Sequence, residues 1–345
     1  MNSAMFNLII FVVLCALTYI IFSRRFGIMN AFRGTRNDAQ KVRLEDALKH
    51  IFAHDEQNSS ATLTSLTDAL RITSTQSLTL VERMQQSRLV KALDGRIVLT
   101  DEGRRYALQI IRAHRLWERY LADETGVDPV EWHVLAERRE HALSPEEANA
   151  LSDRLGNPRF DPHGDPIPTD SGEIPKDNVA TLTQLSVGDN ARVAHVEDEP
   201  AAVYAQLVAL GIHPGMEFRV EAKSDERIII EAEGRNLILA PLVAGNVSVK
   251  WLTKRELEVE DQARETLNVL RKEESAVVSR LSSACRGLER RRLMDLGILP
   301  GTKIEYDRRG LTGGLTSYRV RGTVIALREE QAEMISIQNR EKVAS

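Results

Sequence analysis

Residues 114–141 read HRLWERYLADETGVDPVEWHVLAERREH, and the fold is decided by how that stretch is read. His114 and Glu118 stand four apart, so on a helix they share a face. Asp128-Pro129 has the form of an N-cap followed by a first-turn proline. It opens a second helix carrying His133, Glu137, Glu140 and His141 at i, i+4, i+7 and i+8. Two imidazoles and two carboxylates on one stripe are costly to desolvate unless they are paired or hold a cation. Such a nitrogen and oxygen donor set suits Mn²⁺ or Fe²⁺ better than a thiolate-seeking ion. The alternative is a solvated face in which Glu137-Arg138-Arg139-Glu140 pair as salt bridges.

Working toward the N-terminus, apolar residues fall at helical spacing from Val42: Leu44, Leu48, Ile51 and Phe52. A second short helix fits Leu63 to Leu70. A third begins near Ser74-Thr75, with Leu78, Val81 and Met84 expected to face inward. Leu89 to Leu99 reads as two strands around the Asp94-Gly95 turn. Thr100-Asp101-Glu102 then caps the helix that reaches about Leu121. Three helices followed by a hairpin is the order of a winged helix-turn-helix. Such a module sets its third helix in the DNA major groove. Ser74, Thr75, Gln76, Ser77 and Thr79 are then the candidates to reach bases, and Arg71, Arg83, Arg88, Lys91 and Arg96 the candidates to hold phosphates. Winged helices also serve as protein-interaction modules, and this third helix is not densely basic.

At the start of the chain, residues 5–22 (MFNLIIFVVLCALTYIIF) carry no charge. As a helix the run reaches about 27 Å, near the hydrocarbon thickness of a bilayer. No basic region precedes it and Ser23-Arg24-Arg25 follows it, which argues for an uncleaved anchor over a signal peptide. Arg24, Arg25, Arg33, Arg36, Lys41 and Arg43 then predict single-pass insertion in the inner (cytoplasmic) membrane, with everything after residue 23 in the cytoplasm.

The far half repeats. Leu207-Val-Ala-Leu210-Gly211-Ile212-His-Pro214-Gly215 recurs as Leu293-Met-Asp-Leu296-Gly297-Ile298-Leu-Pro300-Gly301, offset by 86 residues throughout. Each copy leads into short alternating strands with glycine and proline at the corners, the pattern of a small β-barrel. The repeats resemble the FeoA family of SH3-like modules. Residues 253–274 between them are charged and helical in pattern.

Several motifs together make the middle of the chain resemble the diphtheria toxin repressor family of metal-dependent regulators, including its manganese-responsive branch. They are Leu99-Thr100-x-x-Gly103, His114-Arg115-Leu116-x-Glu118, His133-x-x-x-Glu137-x-x-Glu140-His141, Leu143-Ser144-Pro145, and Asn157-Pro158 leading into Pro162-His163-Gly164-Asp165-Pro166-Ile167-Pro168. The resemblance runs from about Val42 to Pro175. It implies that Glu137, Glu140 and His141, with Asp46 from the first helix, form a principal metal site. It implies that His114, Glu118 and His133 form a neighbouring one. Glu137 stands where iron-responsive members carry a sulfur ligand, which tilts the metal toward Mn²⁺ over Fe²⁺. Two positions depart from the pattern. A second first-helix carboxylate falls at Lys49. The acid and amide that iron-responsive members supply from their C-terminal domain fall near Pro200 and Val203, with Glu197 and Glu199 close by. The resemblance also implies a homodimer, for which Leu116, Leu121, Val134 and Leu135 are candidate apolar contacts unless they are monomer core.

Composition bounds these readings. The 345 residues carry 46 Lys+Arg against 50 Asp+Glu, a net charge of −4, with 42% hydrophobic and 28% charged residues. That excludes a disordered chain, a collagen-like chain and a polytopic membrane protein. Two cysteines cannot make a disulfide framework, which fits a reducing compartment. No nucleophile elbow, zinc-protease motif or catalytic dyad is present, so no enzyme is expected.

The expected architecture is multidomain α+β. A transmembrane anchor spans 1–23, a basic linker 24–42, the winged helix 43–106 and an all-α metal-binding and dimerisation domain 107–175. The two SH3-like barrels follow at 177–252 and 277–338, joined by a linker helix at 253–276. The expected function is a membrane-tethered, metal-dependent transcriptional regulator of metal homeostasis acting on a palindromic DNA site. The rival is a membrane-bound metal sensor or adaptor that controls a ferrous iron or manganese transporter by protein contact. A weaker third reading is a metal-storing protein.

Overall fold

The computed structural model describes residues 28–175, 179–232, 234–253, 265–282, 285–310 and 314–342. The chain divides into two compact units at Ile111/Arg112.

The N-terminal unit contains α1 (Ile28–Glu56), β1 (Ala61–Thr62), α2 (Leu63–Leu70), α3 (Ser74–Gln86), β2 (Val90–Leu93), β3 (Arg96–Leu99) and the first turns of α4 (Asp101–Glu124). The strands pair in the order β1-β3-β2. Local chemistry sets each boundary. Thr62 caps α2 reciprocally with Ser65, and Thr73 caps α3 reciprocally with Gln76; each such cap contributes about 1 kcal/mol. Asp94 and Gly95 both take positive φ, the geometry a two-residue hairpin requires. Thr100 accepts from the Gly103 N–H at 3.0 Å to begin α4. A Cβ at Gly103 would lie 1.9 Å from the Leu89 carbonyl oxygen, so this close helix–strand approach requires glycine.

Leu48, Ile51, Leu66, Val81, Met84, Ile97 and Leu108 form the buried interior of this unit. The buried Glu45 carboxylate accepts from the Tyr106 hydroxyl at 2.5 Å, which ties α1 to α4. The winged-helix order is therefore present, with two corrections on α3. Leu78, expected inside, is exposed. Ser77 is buried instead and its hydroxyl lies 3.0 Å from that of Thr67. The stretch read as a basic linker is helical from Ile28 onward.

The C-terminal unit begins within α4. A 3₁₀ turn (Pro129–Glu131) capped by Asp128 leads into α5 (Trp132–Glu140), and Ser144 with Glu147 caps α6 (Pro145–Arg154). Leu116 and Leu121 are buried in the interior of this helical layer while Val134 is exposed. The first two are monomer core and do not form a free contact surface.

Two β-rich modules follow. The first has β4 (Ala180–Thr181), β5 (Asn190–Val196), α7 (Ala201–Ala209), β6 (Glu217–Lys223), β7 (Ile228–Ala232), β8 (Arg235–Leu239), α8 (Pro241–Ala244) and β9 (Val247–Trp251). The second has β10 (Glu274–Leu281), α9 (Gly287–Asp295), β11 (Lys303–Arg309), β12 (Leu315–Val320), β13 (Thr323–Arg328), α10 (Glu329–Glu333) and β14 (Ile335–Lys342). Their antiparallel orders are β4-β9-β5-β6-β7-β8 and β13-β12-β11-β10-β14. Each encloses its own apolar core. Gly211 and Gly297, equivalent in the repeat, both take positive φ just after α7 and α9 and turn the chain toward the next strand.

Both ladders run between two edge strands, so the closed barrel expected from the sequence is not seen as a ring of pairing among the described residues. Leu267 and Leu270 are buried in the second core, so this module begins before residue 277. The described part of the expected 253–276 linker helix is not helical: it contains an isolated bridge from Thr266 to Ser336, a 3₁₀ turn at Leu267–Val269 and the start of β10.

The expected membrane location is corrected. Among the described residues no helix is long and apolar enough to cross a membrane. The run at 5–22 on which that expectation rested lies outside the described residues.

Candidate metal centre

The C-terminal unit gathers donors from four segments. Helix α4 contributes His114 and Glu118 one turn apart. Helix α5 contributes His133, Glu137 and Glu140, with His141 at its C-cap. The 161–165 loop contributes His163, and the loop between β5 and α7 contributes Asp198.

Glu118 lies at the centre and is 2% exposed. Its Oε1 is 3.0 Å from His114 Nε2, 3.4 Å from His133 Nδ1 and 3.7 Å from His163 Nε2. The Asp198 carboxylate is 2.8 Å from His133 Nδ1 and 3.9 Å from His163 Nε2. Two donor groups therefore share Glu118: one with His114 and His133, the other with His163 and Asp198. Within each, the donor atoms lie within 4.8 Å of one another.

A second pair adjoins them. The buried Glu140 lies 2.5 Å from His114 Nδ1 and 3.4 Å from His141 Nε2. Glu137 is more exposed, with its Oε1 3.6 Å from His133 Nε2. Asp46 lies on α1, in the N-terminal unit.

The electrostatics are those of a site short of positive charge. Burial alone would raise Glu118, but His114 and His133 hold its carboxyl well below the ordinary range. Asp198, then Glu118 and Glu137, push His133 up to about 12 against the effect of burial. Burial pushes His163 down, so this imidazole tends to neutrality. Both ring nitrogens of His163 are buried without a hydrogen-bond partner among the described residues. A neutral imidazole lone pair facing a carboxylate is unfavourable unless a proton or a metal ion lies between them. The donor set fits a hard-to-borderline divalent cation on that ground.

The loop carrying His163 is rigidly built. The Asp161 carboxylate accepts from the backbone N–H groups of His163, Gly164 and Asp165, each at 2.9 Å. Val196 N–H donates to the His163 carbonyl at 2.8 Å, fixing the loop against β5. His163 and Asp198 were not among the ligands expected from the sequence. His163 stood inside the Pro-His-Gly-Asp-Pro motif, and Asp198 stood between the two glutamates noted beside the departing positions. Neither has a helical spacing partner to mark it.

On the N-terminal unit, Ser74, Thr75, Gln76, Thr79 and Arg83 of α3 are exposed, as are Lys91 and Arg96 of the hairpin. Arg83 donates to the Gln40 side chain at 2.7 Å. Buried Ser77 leaves the set of residues that can reach a base.

Comparison with known proteins follows the same division. Residues 100–169 match the family described as iron dependent repressor, metal binding and dimerisation domain. Residues 180–250 and 265–339 each match the FeoA domain. The chain is 32% identical over 175 residues to the iron-dependent repressor IdeR of Mycobacterium leprae, covering 47% of this chain and 76% of the relative. It is 31% identical over 182 residues to the diphtheria toxin repressor of Corynebacterium glutamicum, covering 49% and 79%. Among solved structures it resembles a manganese-dependent transcriptional repressor in complex with manganese, with a TM-score of 0.55 and 30% identity over 60% of this chain and 99% of the other.

Proposed function

The chain belongs to the family of the iron-dependent repressor IdeR and the diphtheria toxin repressor, and from that premise we propose that it is a metal-dependent transcriptional regulator that binds DNA rather than an enzyme. The observation that carries this reading is the buried Glu118, faced by His114, His133 and His163 on one unit while the other unit is a winged helix.

The activating cation is Mn²⁺ or Fe²⁺. Glu137, Glu140 and His141, with Asp46, are the principal ligands; His114, Glu118 and His133 are those of the adjoining site, joined by His163 and Asp198. A divalent cation there supplies the positive charge that these carboxylates otherwise draw from protonated imidazole. His114 and Glu118 then hold α4 against α5, and Asp198 holds the first β-module to the same point. The effector and DNA are linked reciprocally: a metal that tightens DNA binding is itself bound more tightly in the presence of DNA.

Ser74, Thr75, Gln76 and Thr79 of α3 read base edges, and Arg83, Lys91 and Arg96 hold phosphates. The active species is a homodimer on a palindromic operator, so two α3 helices meet two half-sites. The domains are 43–106 for the winged helix, 107–175 for metal binding and dimerisation, and the two FeoA modules, of SH3-like type, after it.

Selection of binding sequences from a random duplex library, followed by gel shift of the full chain with Mn²⁺, with Fe²⁺ under anaerobic conditions and with chelator, tests this reading. A sequence-specific shift that requires metal is expected. A shift indifferent to metal, or none, would overturn it.

A further inference from the structure

A cavity of about 300 Å³ opens in the C-terminal unit where α4, the 160–164 loop and the two β-modules meet. Five cationic side chains line it: Arg119, Arg192, Lys250, Arg286 and Arg290. Only two lining residues, Asp123 and Asp161, are acidic. Asp123 is engaged by Arg119 at 2.6 Å, and Arg192 is engaged by Glu217 at 2.9 Å from outside the lining.

Arg286 comes from the second module and its guanidinium sits over the Trp132 ring, 5.6 Å from the centroid. Burial, with the charges of Arg119 and Arg290, pushes this guanidinium below its ordinary range. Arg290 has no ion-pair partner among the described residues. The repeat explains how both modules reach this place. By the 86-residue offset (Leu210 to Leu296), Arg286 is the counterpart of Pro200, two residues beyond Asp198. The same loop of each module thus meets the helical layer, one at His133 and the other at Trp132.

Cations held around a shared cavity repel one another, and the repulsion grows as water is excluded. A metal ion would add to it. A bound anion relieves it, and guanidinium forks match the geometry of oxyanions in particular. The volume stands at the small end of ligand pockets, so the ligand is compact. We propose that this cavity is a binding site for a small, multiply charged oxyanion, gripped by Lys250, Arg286 and Arg290 with Arg119 and Arg192 in its walls.

Isothermal titration calorimetry on the full, metal-free chain tests this, with pyrophosphate and citrate as separate probes at constant ionic strength set with chloride. At least one probe is expected to bind saturably at one site per chain, and the tighter arm identifies phosphate or carboxylate as the preferred group. Arg290→Gln and Lys250→Gln are each expected to weaken that binding at least tenfold, with Arg290→Lys retaining part of it. Circular dichroism melting confirms that the compared variants are folded. Absence of saturable binding by both probes, or wild-type affinity in both neutral variants, overturns the proposal.

Discussion

Asp198, on the loop after β5, lies 2.8 Å from His133 of α5, so the first β-module contributes directly to the donor cluster of the helical layer. The contact places one acid of the C-terminal half beside His133, which stands 65 residues earlier in the sequence (198 − 133). If the cluster holds metal, removing this oxygen removes a donor. Asp198→Ala is expected to weaken Mn²⁺ binding by roughly 10–100-fold, the scale seen when partners of metal ligands are deleted. Competition against a metallochromic indicator measures it, with Glu197→Gln as the neighbouring control expected to stay near wild type.

Metal uptake by this cluster is expected to release protons. Asp198, Glu118 and Glu137 raise His133 to about 12, so at neutral pH the ring is protonated and must give up that proton to become a ligand. Affinity therefore rises with pH. In the metal-free protein the sign for stability is the reverse. A histidine raised from 6.5 to about 12 contributes stability that is full below 6.5 and lost as pH rises through about 12. Calorimetry of Mn²⁺ binding in buffers of different ionisation enthalpy counts the protons; a heat independent of buffer would contradict the assignment.

The close approach at Gly103 makes a stability prediction independent of metal. Any Cβ there would lie 1.9 Å from the Leu89 carbonyl oxygen, which is backbone and cannot rotate aside. Gly103→Ala is expected to destabilise the winged-helix unit by roughly 1–3 kcal/mol or more through overpacking. Urea denaturation followed by circular dichroism reads it.

The winged helix separates two kinds of contact. Lys91→Ala and Arg96→Ala, which remove exposed charges, are expected to weaken DNA binding about equally on all sequences and to reduce the salt slope by about 1 each. Thr79→Ala is expected to relax sequence preference instead. Ser77→Ala is expected to act on stability alone, by roughly 1 kcal/mol, because its hydroxyl partners Thr67 inside the fold. Fluorescence anisotropy across a salt series on matched and scrambled duplexes distinguishes the three outcomes.

Much of this was legible in sequence, for identifiable reasons. The helices of the winged motif and the Asp94-Gly95 hairpin are written in local chemistry: period, caps and turn residues. The stripe of His133, Glu137, Glu140 and His141 is a matter of spacing on one helix. The repeat was visible because Leu-Gly-Ile-x-Pro-Gly must recur wherever α7 and α9 turn through a glycine at positive φ. What could not be read was long-range placement. His163 and Asp198 reach Glu118 only through the Asp161 turn and the anchoring of that loop on β5. On α3, periodicity alone does not choose between Leu78 and its neighbour, because the buried residue is Ser77, a serine satisfied by Thr67. The start of the second β-module is hidden in sequence because Leu267 and Leu270 enter its core from a charged segment with a helical pattern.

The most direct test of the regulator reading is the affinity of the full chain for its selected duplex, measured by fluorescence anisotropy with saturating Mn²⁺ and with chelator, for wild type and for Glu118→Gln with Glu140→Gln. The account predicts at least tenfold tighter binding with Mn²⁺ in the wild type and loss of that difference in the double variant. Equal affinity with and without metal in the wild type, or an undiminished metal response in the variant, would contradict it.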